Sequence, residues 1–315
     1  METPVLNSSE PYRNWLELPR DVTATILLKL GAIEILLNAQ NVCSFWRNIC
    51  KDTSMWRSID MHNLGDLWGV EYDPEKMARH AVDRSCGELV DINIEYFGSD
   101  NLLEYIADRS SHLRCLRLVS CHGISDDGLS EGAKKLSFLG ELELSYCSFS
   151  IEALEAVGRC CPLLKSFKLN SHGFKRPHIE CDEEAMAIAE NMHELRHLQL
   201  FGNKLTNEGL QAILDGCPYL ESLDLRQCFN VNLGVNLRKT CAERIKELRC
   251  PYDSTDDYEF DAAIPDDGSF GSYGSFDELY PSEFSDLDIL SDDEYYEFSG
   301  GSDFSDYGGS FFKLE

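Results

Sequence analysis

Leu113-Arg114-Cys115-Leu116-Arg117-Leu118-Val119-Ser120-Cys121 is the stretch on which the fold of this chain turns. Its Leu-x-x-Leu-x-Leu opening recurs, with Ile or Phe at some positions and a final Cys, at Leu89, Leu139, Leu164, Leu195, Leu220 and Ile245. Successive starts lie 24, 26, 25, 31, 25 and 25 residues apart. A period of that size marks stacked structural repeats. Within each unit the alternating apolar residues suit one face of a short strand. A helix then opens on residues that cap well, such as Ser125-Asp126-Asp127 or Thr206-Asn207-Glu208. Cys161-Pro162 and Cys217-Pro218 follow two of these helices, where proline cannot extend them. One such unit cannot bury its apolar face alone, so the pattern predicts an α+β or α/β solenoid of parallel strands plus helices over residues 89–250.

The eighth residue after each start is Cys121, Cys147, Cys228 or Asn203 in four repeats, with Phe97, His172 and Asp253 departing from the rule. An inward-facing small polar group there would serve turn backbone that lacks another partner. That accounts for part of the 13 cysteines. With no basic-then-apolar leader in residues 1–10 and no run of about 20 apolar residues, the expectation is a nuclear or cytoplasmic chain with reduced thiols and no membrane span. With the Cys-Pro-x-Leu endings, the pattern resembles the cysteine-containing leucine-rich repeats found in F-box proteins.

Working back from the repeats, residues 12–58 carry a helical period. Val22, Ile26, Leu27 and Leu30 form one stripe, ended by Gly31. Ile33, Leu36 and Leu37 suit a second helix, and Val42, Phe45, Trp46 and Ile49 a third. So small a unit holds more large apolar groups than it can bury, which calls for a covering surface. Leu18-Pro19, Ile26-Leu27, Leu30, Val42-Cys43, Trp46-Arg47 and Met55-Trp56-Arg57 together resemble an F-box, with Met55 where Leu is usual and Ala32-Ile33-Glu34 in place of a short acidic loop. The chain is thus similar to the small plant F-box/leucine-rich-repeat family. That resemblance implies docking on a Skp-type adaptor, and through it on a cullin and a RING protein, by Leu18, Pro19, Ile26, Leu30, Val42, Cys43, Trp46 and Trp56. It also implies a substrate receptor of an SCF ubiquitin ligase that performs no chemistry itself. An interaction scaffold outside any ligase, its N-terminal helices only capping the repeats, is the alternative.

Residues 1–11 are expected to be flexible. Residues 59–88 read as a linker or as a degenerate first repeat, with Ile59 and Met61 in its strand. The chain has 28 basic and 56 acidic residues, net −28, which argues against a nucleic-acid partner. Residues 251–315 hold 19 of those acids, one base (Lys313) and 15 aromatics, broken by Asp-Asp and Gly-Ser pairs, and are expected to be a disordered acidic-aromatic tail.

His193-Glu194-Leu195-Arg196-His197 matches the His-Glu-x-x-His zinc pattern, but that chemistry needs one continuous helix and Leu195 opens a repeat strand. No metal site and no cofactor are expected. Target contacts are expected on the concave face, at His197, Gln199, Phe201 and Arg226, and in the basic insertion of the fourth repeat, at Phe174, Lys175 and Arg176.

Overall fold

The computed structural model describes residues 15–63, 72–173 and 179–263. Eight parallel strands pair in sequence order: β1 (Ser58–Met61), β2 (Asp91–Glu95), β3 (Cys115–Val119), β4 (Glu141–Ser145), β5 (Ser166–Asn170), β6 (His197–Gln199), β7 (Ser222–Asp224) and β8 (Glu247–Arg249). All seven strands read from the leucine period are present. The register places like on like, with Ile59, Ile92, Leu116, Leu142, Phe167, Leu198, Leu223 and Leu248 forming one continuous apolar row. Seven of these eight are buried, and Leu248, in the last strand, is partly exposed.

Ahead of the sheet lie α1 (Arg20–Leu28), α2 (Gly31–Glu34), a π-helical turn (Ile35–Ala39), α3 (Gln40–Val42) and α4 (Ser44–Cys50). The expected third helix is shorter than its apolar spacing suggested. Val42 ends α3, and Cys43, extended at φ −161°, caps α4 by accepting from the Trp46 N–H at 3.4 Å. Pro19 sits one position before the first helical residue, and its carbonyl accepts from the Thr23 N–H at 3.0 Å.

Within residues 59–88 the described parts supply one strand and one helix. β1 pairs with β2, and α5 (Pro74–Arg84) backs it with Met77, Ala78, Ala81 and Val82 buried. Six more helices occupy the convex side: α6 (Asp100–Arg109), α7 (Asp126–Lys135), α8 (Ile151–Cys160), α9 (Glu183–Asn191), α10 (Asn207–Gly216) and α11 (Val235–Arg244).

Polar ladders join the repeats where the apolar row cannot. The Cys121 thiol donates to the Ile94 carbonyl at 3.4 Å, Cys147 to Leu118 at 3.6 Å and Cys228 to Leu200 at 2.7 Å. A second set, Cys161 and Cys217, reaches carbonyls at the ends of the preceding helices. Carboxylates at helix starts cap the next repeat: Asp100 accepts from the Ser125 N–H and hydroxyl at 2.7 Å each, and Asp182 does the same for Thr206. After five of the strands the chain turns through a left-handed residue, at Tyr96, Ser120, Tyr146, Gly202 and Gln227, whose N–H donates to the following repeat. At Gly202 a Cβ would stand 2.3 Å from the Ser171 carbonyl, so only glycine fits.

Candidate functional site

Two surfaces stand out, and the first is on the N-terminal helices. Their inner side is sealed onto the first repeat by Leu27, Ala32, Ile35, Ile49, Cys50, Met55 and Trp56. Their outer side leaves Trp15, Leu16, Val22, Leu28, Leu30, Leu37 and Val42 exposed, Trp15 by 59% and Val42 by 62%. Seven large apolar side chains bare within 28 residues of sequence exceed what scattered surface hydrophobes account for. Of the residues expected to touch an adaptor, Pro19, Leu30 and Val42 are exposed, and Leu18, Ile26, Cys43 and Trp46 are half-buried. Trp56, also expected there, is buried. It is 1% exposed, its Nε1–H donates to the Cys50 carbonyl at 2.8 Å, and the Arg84 guanidinium lies 5.2 Å from its ring. Its place is the joint between helices and sheet.

The second surface is the concave face. Buried Glu95 and Glu143 meet basic or imidazole side chains there. Lys168 reaches Glu143 at 2.9 Å, Arg117 lies 3.5 Å from Glu143, and the His62 ring meets Glu95 at 2.7 Å. Near β5–β8 the face opens into a cleft of about 630 Å³ lined by Lys168, His197, Gln199, Asp224 and Arg249 among others. Two of the expected target contacts, His197 and Gln199, therefore line open space.

Phe201 and Arg226 do not, because residues 251–263 lie over them. This stretch, expected as the start of a disordered tail, packs back across the solenoid. The Tyr258 ring is parallel to Phe201 at 3.6 Å and its hydroxyl meets that of Tyr146 at 3.0 Å. Asp257 bridges Arg226 at 2.5 Å and Arg249 at 2.6 Å. Glu259 pairs with Arg117 at 2.7 Å, and Phe260 stands edge-on to Tyr146 at 5.3 Å. The result is a Phe201 that is 1% exposed, not the open aromatic anchor the sequence suggested. Burial pushes the Tyr258 and Tyr146 phenols up. Desolvation would raise the Asp257 carboxyl too, but Arg226 and Arg249 outweigh it and hold it below the usual range.

An F-box-like family profile matches residues 15–62, and a leucine-rich-repeat profile matches 109–131 and 191–214. The chain is 56% identical over 298 residues to F-box protein SKIP19 of Arabidopsis thaliana, covering 93% of each. It is 46% identical over 305 residues, 96% of each chain, to putative F-box/LRR-repeat protein 22 of the same plant. This chain belongs to the F-box/leucine-rich-repeat family. In this F-box/leucine-rich-repeat protein the apolar outer face belongs to the F-box, and the cleft and its overlying segment belong to the repeats.

His193 and His197 do not share a helix: α9 ends at Asn191, His193 follows its cap, and His197 opens β6. Among the described residues no group of three or more His, Cys, Asp and Glu side chains could hold a metal ion. Burial drives the structural thiols away from reactivity, with Cys147 and Cys217 pushed up to about 11 and Cys161 to about 12. Phe174, Lys175 and Arg176 lie outside the described residues. Residues 251–263 are what sequence reasoning missed. The available signal was Phe201, an aromatic out of place in the strand pattern, together with Tyr258 and Phe260 close behind the last repeat.

Proposed function

We propose that this protein is a substrate-recognition subunit of an SCF-type ubiquitin ligase. Its F-box docks on a Skp-type adaptor, and through that on a cullin and a RING protein, while the concave face of the repeats holds a target protein. The observation that carries this reading is the division of the F-box into a sealed inner side and a bare apolar outer side that includes Pro19, Leu30 and Val42. Capping the repeats requires only the inner side. The chain then acts by raising the effective concentration of target lysines near a ubiquitin-charged enzyme, and makes or breaks no bond itself. Thirteen unpaired cysteines suit a nuclear or cytoplasmic site of action.

The scaffold alternative draws on the capping contacts of Leu27, Met55 and Trp56, which are extensive. Co-purification separates the two. A chain carrying Leu18→Ala and Pro19→Ala should lose the adaptor while its far-ultraviolet circular dichroism and unfolding midpoint stay unchanged. Undiminished adaptor recovery from the double variant, or none from the unaltered chain, refutes the ligase reading.

A further inference from the structure

The seat occupied by residues 257–260 has the attributes of a peptide-binding site. Its floor is assembled from side chains of five repeats, and three of them, Arg117, Arg226 and Arg249, present guanidinium groups to the segment, Arg117 also lying near Glu143 and Arg226 also held by Asp224 at 2.7 Å. Each feature of the bound segment meets a matching feature of the floor. Asp257 sits between two guanidinium groups, Tyr258 lies on the Phe201 ring and meets the Tyr146 hydroxyl, and Glu259 pairs with Arg117. Phe260 lies beneath the Arg117 guanidinium at 5.3 Å. Recognition is therefore by side chains in the order acid, aromatic, acid, aromatic.

The segment is also shallowly held. Asp257 and Glu259 keep 54% of their side-chain surface in water, and residues 257–260 form no helix or strand. A core element would be sealed, whereas a docked ligand can leave. The Tyr-Glu-Phe tripeptide of this segment occurs a second time in the chain, at Tyr296-Glu297-Phe298.

We propose that the target protein enters this concave site as an acidic-aromatic segment of the Asp-Tyr-Glu-Phe type, displacing residues 257–260, which hold the seat in cis. The assignment of the occupant as a target rests on the receptor role proposed above; the peptide preference of the site does not. Tethering gives the cis segment an effective concentration of about millimolar order, so an incoming segment is selected against unless it binds well or is held by further contacts. Arg226 and Phe201 are then specificity-determining residues, while His197 and Gln199 border the cleft into which a longer target segment would run.

The test uses the full chain and a fluorescein-labelled peptide of residues 254–263, followed by anisotropy. One variant, Asp257→Lys with Glu259→Lys, empties the seat through half-exposed positions. A second, Tyr258→Ala with Phe260→Ala, empties it through the aromatics. Both also carry Tyr296→Ala and Phe298→Ala, so that the second Tyr-Glu-Phe cannot refill it. Each emptied chain should bind the peptide about tenfold more tightly than the unaltered chain. Adding Arg226→Ala should remove most of that binding, and the more exposed Arg249→Ala should weaken it several-fold. A peptide with both aromatics changed to Ala should not bind. Equal affinity for unaltered and emptied chains, or binding indifferent to both arginine changes, overturns the proposal. Adaptor recovery is measured on the same samples. Its loss with peptide binding intact would refute the ligase reading alone, and the converse would refute this one alone.

Discussion

Trp56 holds the joint between the F-box helices and the first repeat, and its replacement measures what that joint is worth. The ring is buried between the F-box helices and the first repeat, with its Nε1–H on the Cys50 carbonyl at 2.8 Å. Removing a buried Trp side chain to Ala costs about 3–5 kcal/mol. Trp56→Phe keeps most of the apolar contact but loses the indole donor. The Cys50 carbonyl would then retain only the Arg84 guanidinium, at 3.4 Å, so the cost falls to about 2 kcal/mol. At a urea dependence of about 2 kcal/mol per molar, that is a midpoint lower by about 1 M. The assay is urea unfolding by circular dichroism, because tryptophan fluorescence would lose one of its reporters. Adaptor affinity, measured below the transition, should be unchanged in the Phe variant. An unchanged midpoint together with a tenfold weaker adaptor complex would place the ring on the docking surface and refute the packing argument.

Two further outcomes follow from the repeat architecture. A Cβ on Gly209 would lie 2.3 Å from the Asp182 carboxylate and 2.9 Å from the Ala185 methyl, so Gly209→Ala should lower stability by about 2–3 kcal/mol despite Ala's higher helix propensity. An unchanged melting temperature would show that α9 and α10 are looser than described. Burial raises the Cys147, Cys161 and Cys217 thiols to about 11, 12 and 11. Groups raised in the folded state ionise first in the unfolded chain, so their stabilisation is complete below about pH 9 and is lost as pH rises toward 11–12. Each thiol then costs about 1.4 kcal/mol per pH unit in that window. The slope of stability against pH should be smaller by about that amount in Cys217→Ala, and an identical slope would refute the assignment.

Much of this fold was legible because the repeat restates itself. Leu116 stands opposite Leu142, and Leu198 opposite Leu223, because each occupies the same offset in its unit, and the thiols of Cys121 and Cys228 face inward for the same reason. Even the opening strand could be read from Ile59 and Met61. Helix α5 could not, because Met77, Ala78, Ala81 and Val82 lack the leucines that mark the other units. The F-box periodicity identified apolar stripes but not which members face inward, since both faces of these helices are apolar. Trp56 and Val42 look equivalent in sequence and differ only by what packs on them. Residues 251–263 were illegible for another reason. Their acids and aromatics read as solvated until they meet Arg117, Tyr146 and Phe201, which lie 57 to 142 residues earlier in the chain.

The direct join between the two surfaces bears on how a receptor of this design would work. Arg57 follows Trp56 without a spacer, and its carbonyl accepts from the Val90 N–H at 2.8 Å, so the chain passes from the F-box straight into the β1–β2 ladder. Arg84 of the first repeat reaches back to Gln40 at 2.8 Å, and Arg20 ties α1 to Asp52 at 2.8 Å. Among the described residues these contacts tie the F-box helices directly to the first strands. Under the proposed function the path from adaptor to concave face is therefore fixed by packing. The search for a target lysine would then depend on slack in the target, because a compliant receptor would dilute the effective concentration that the assembly exists to create.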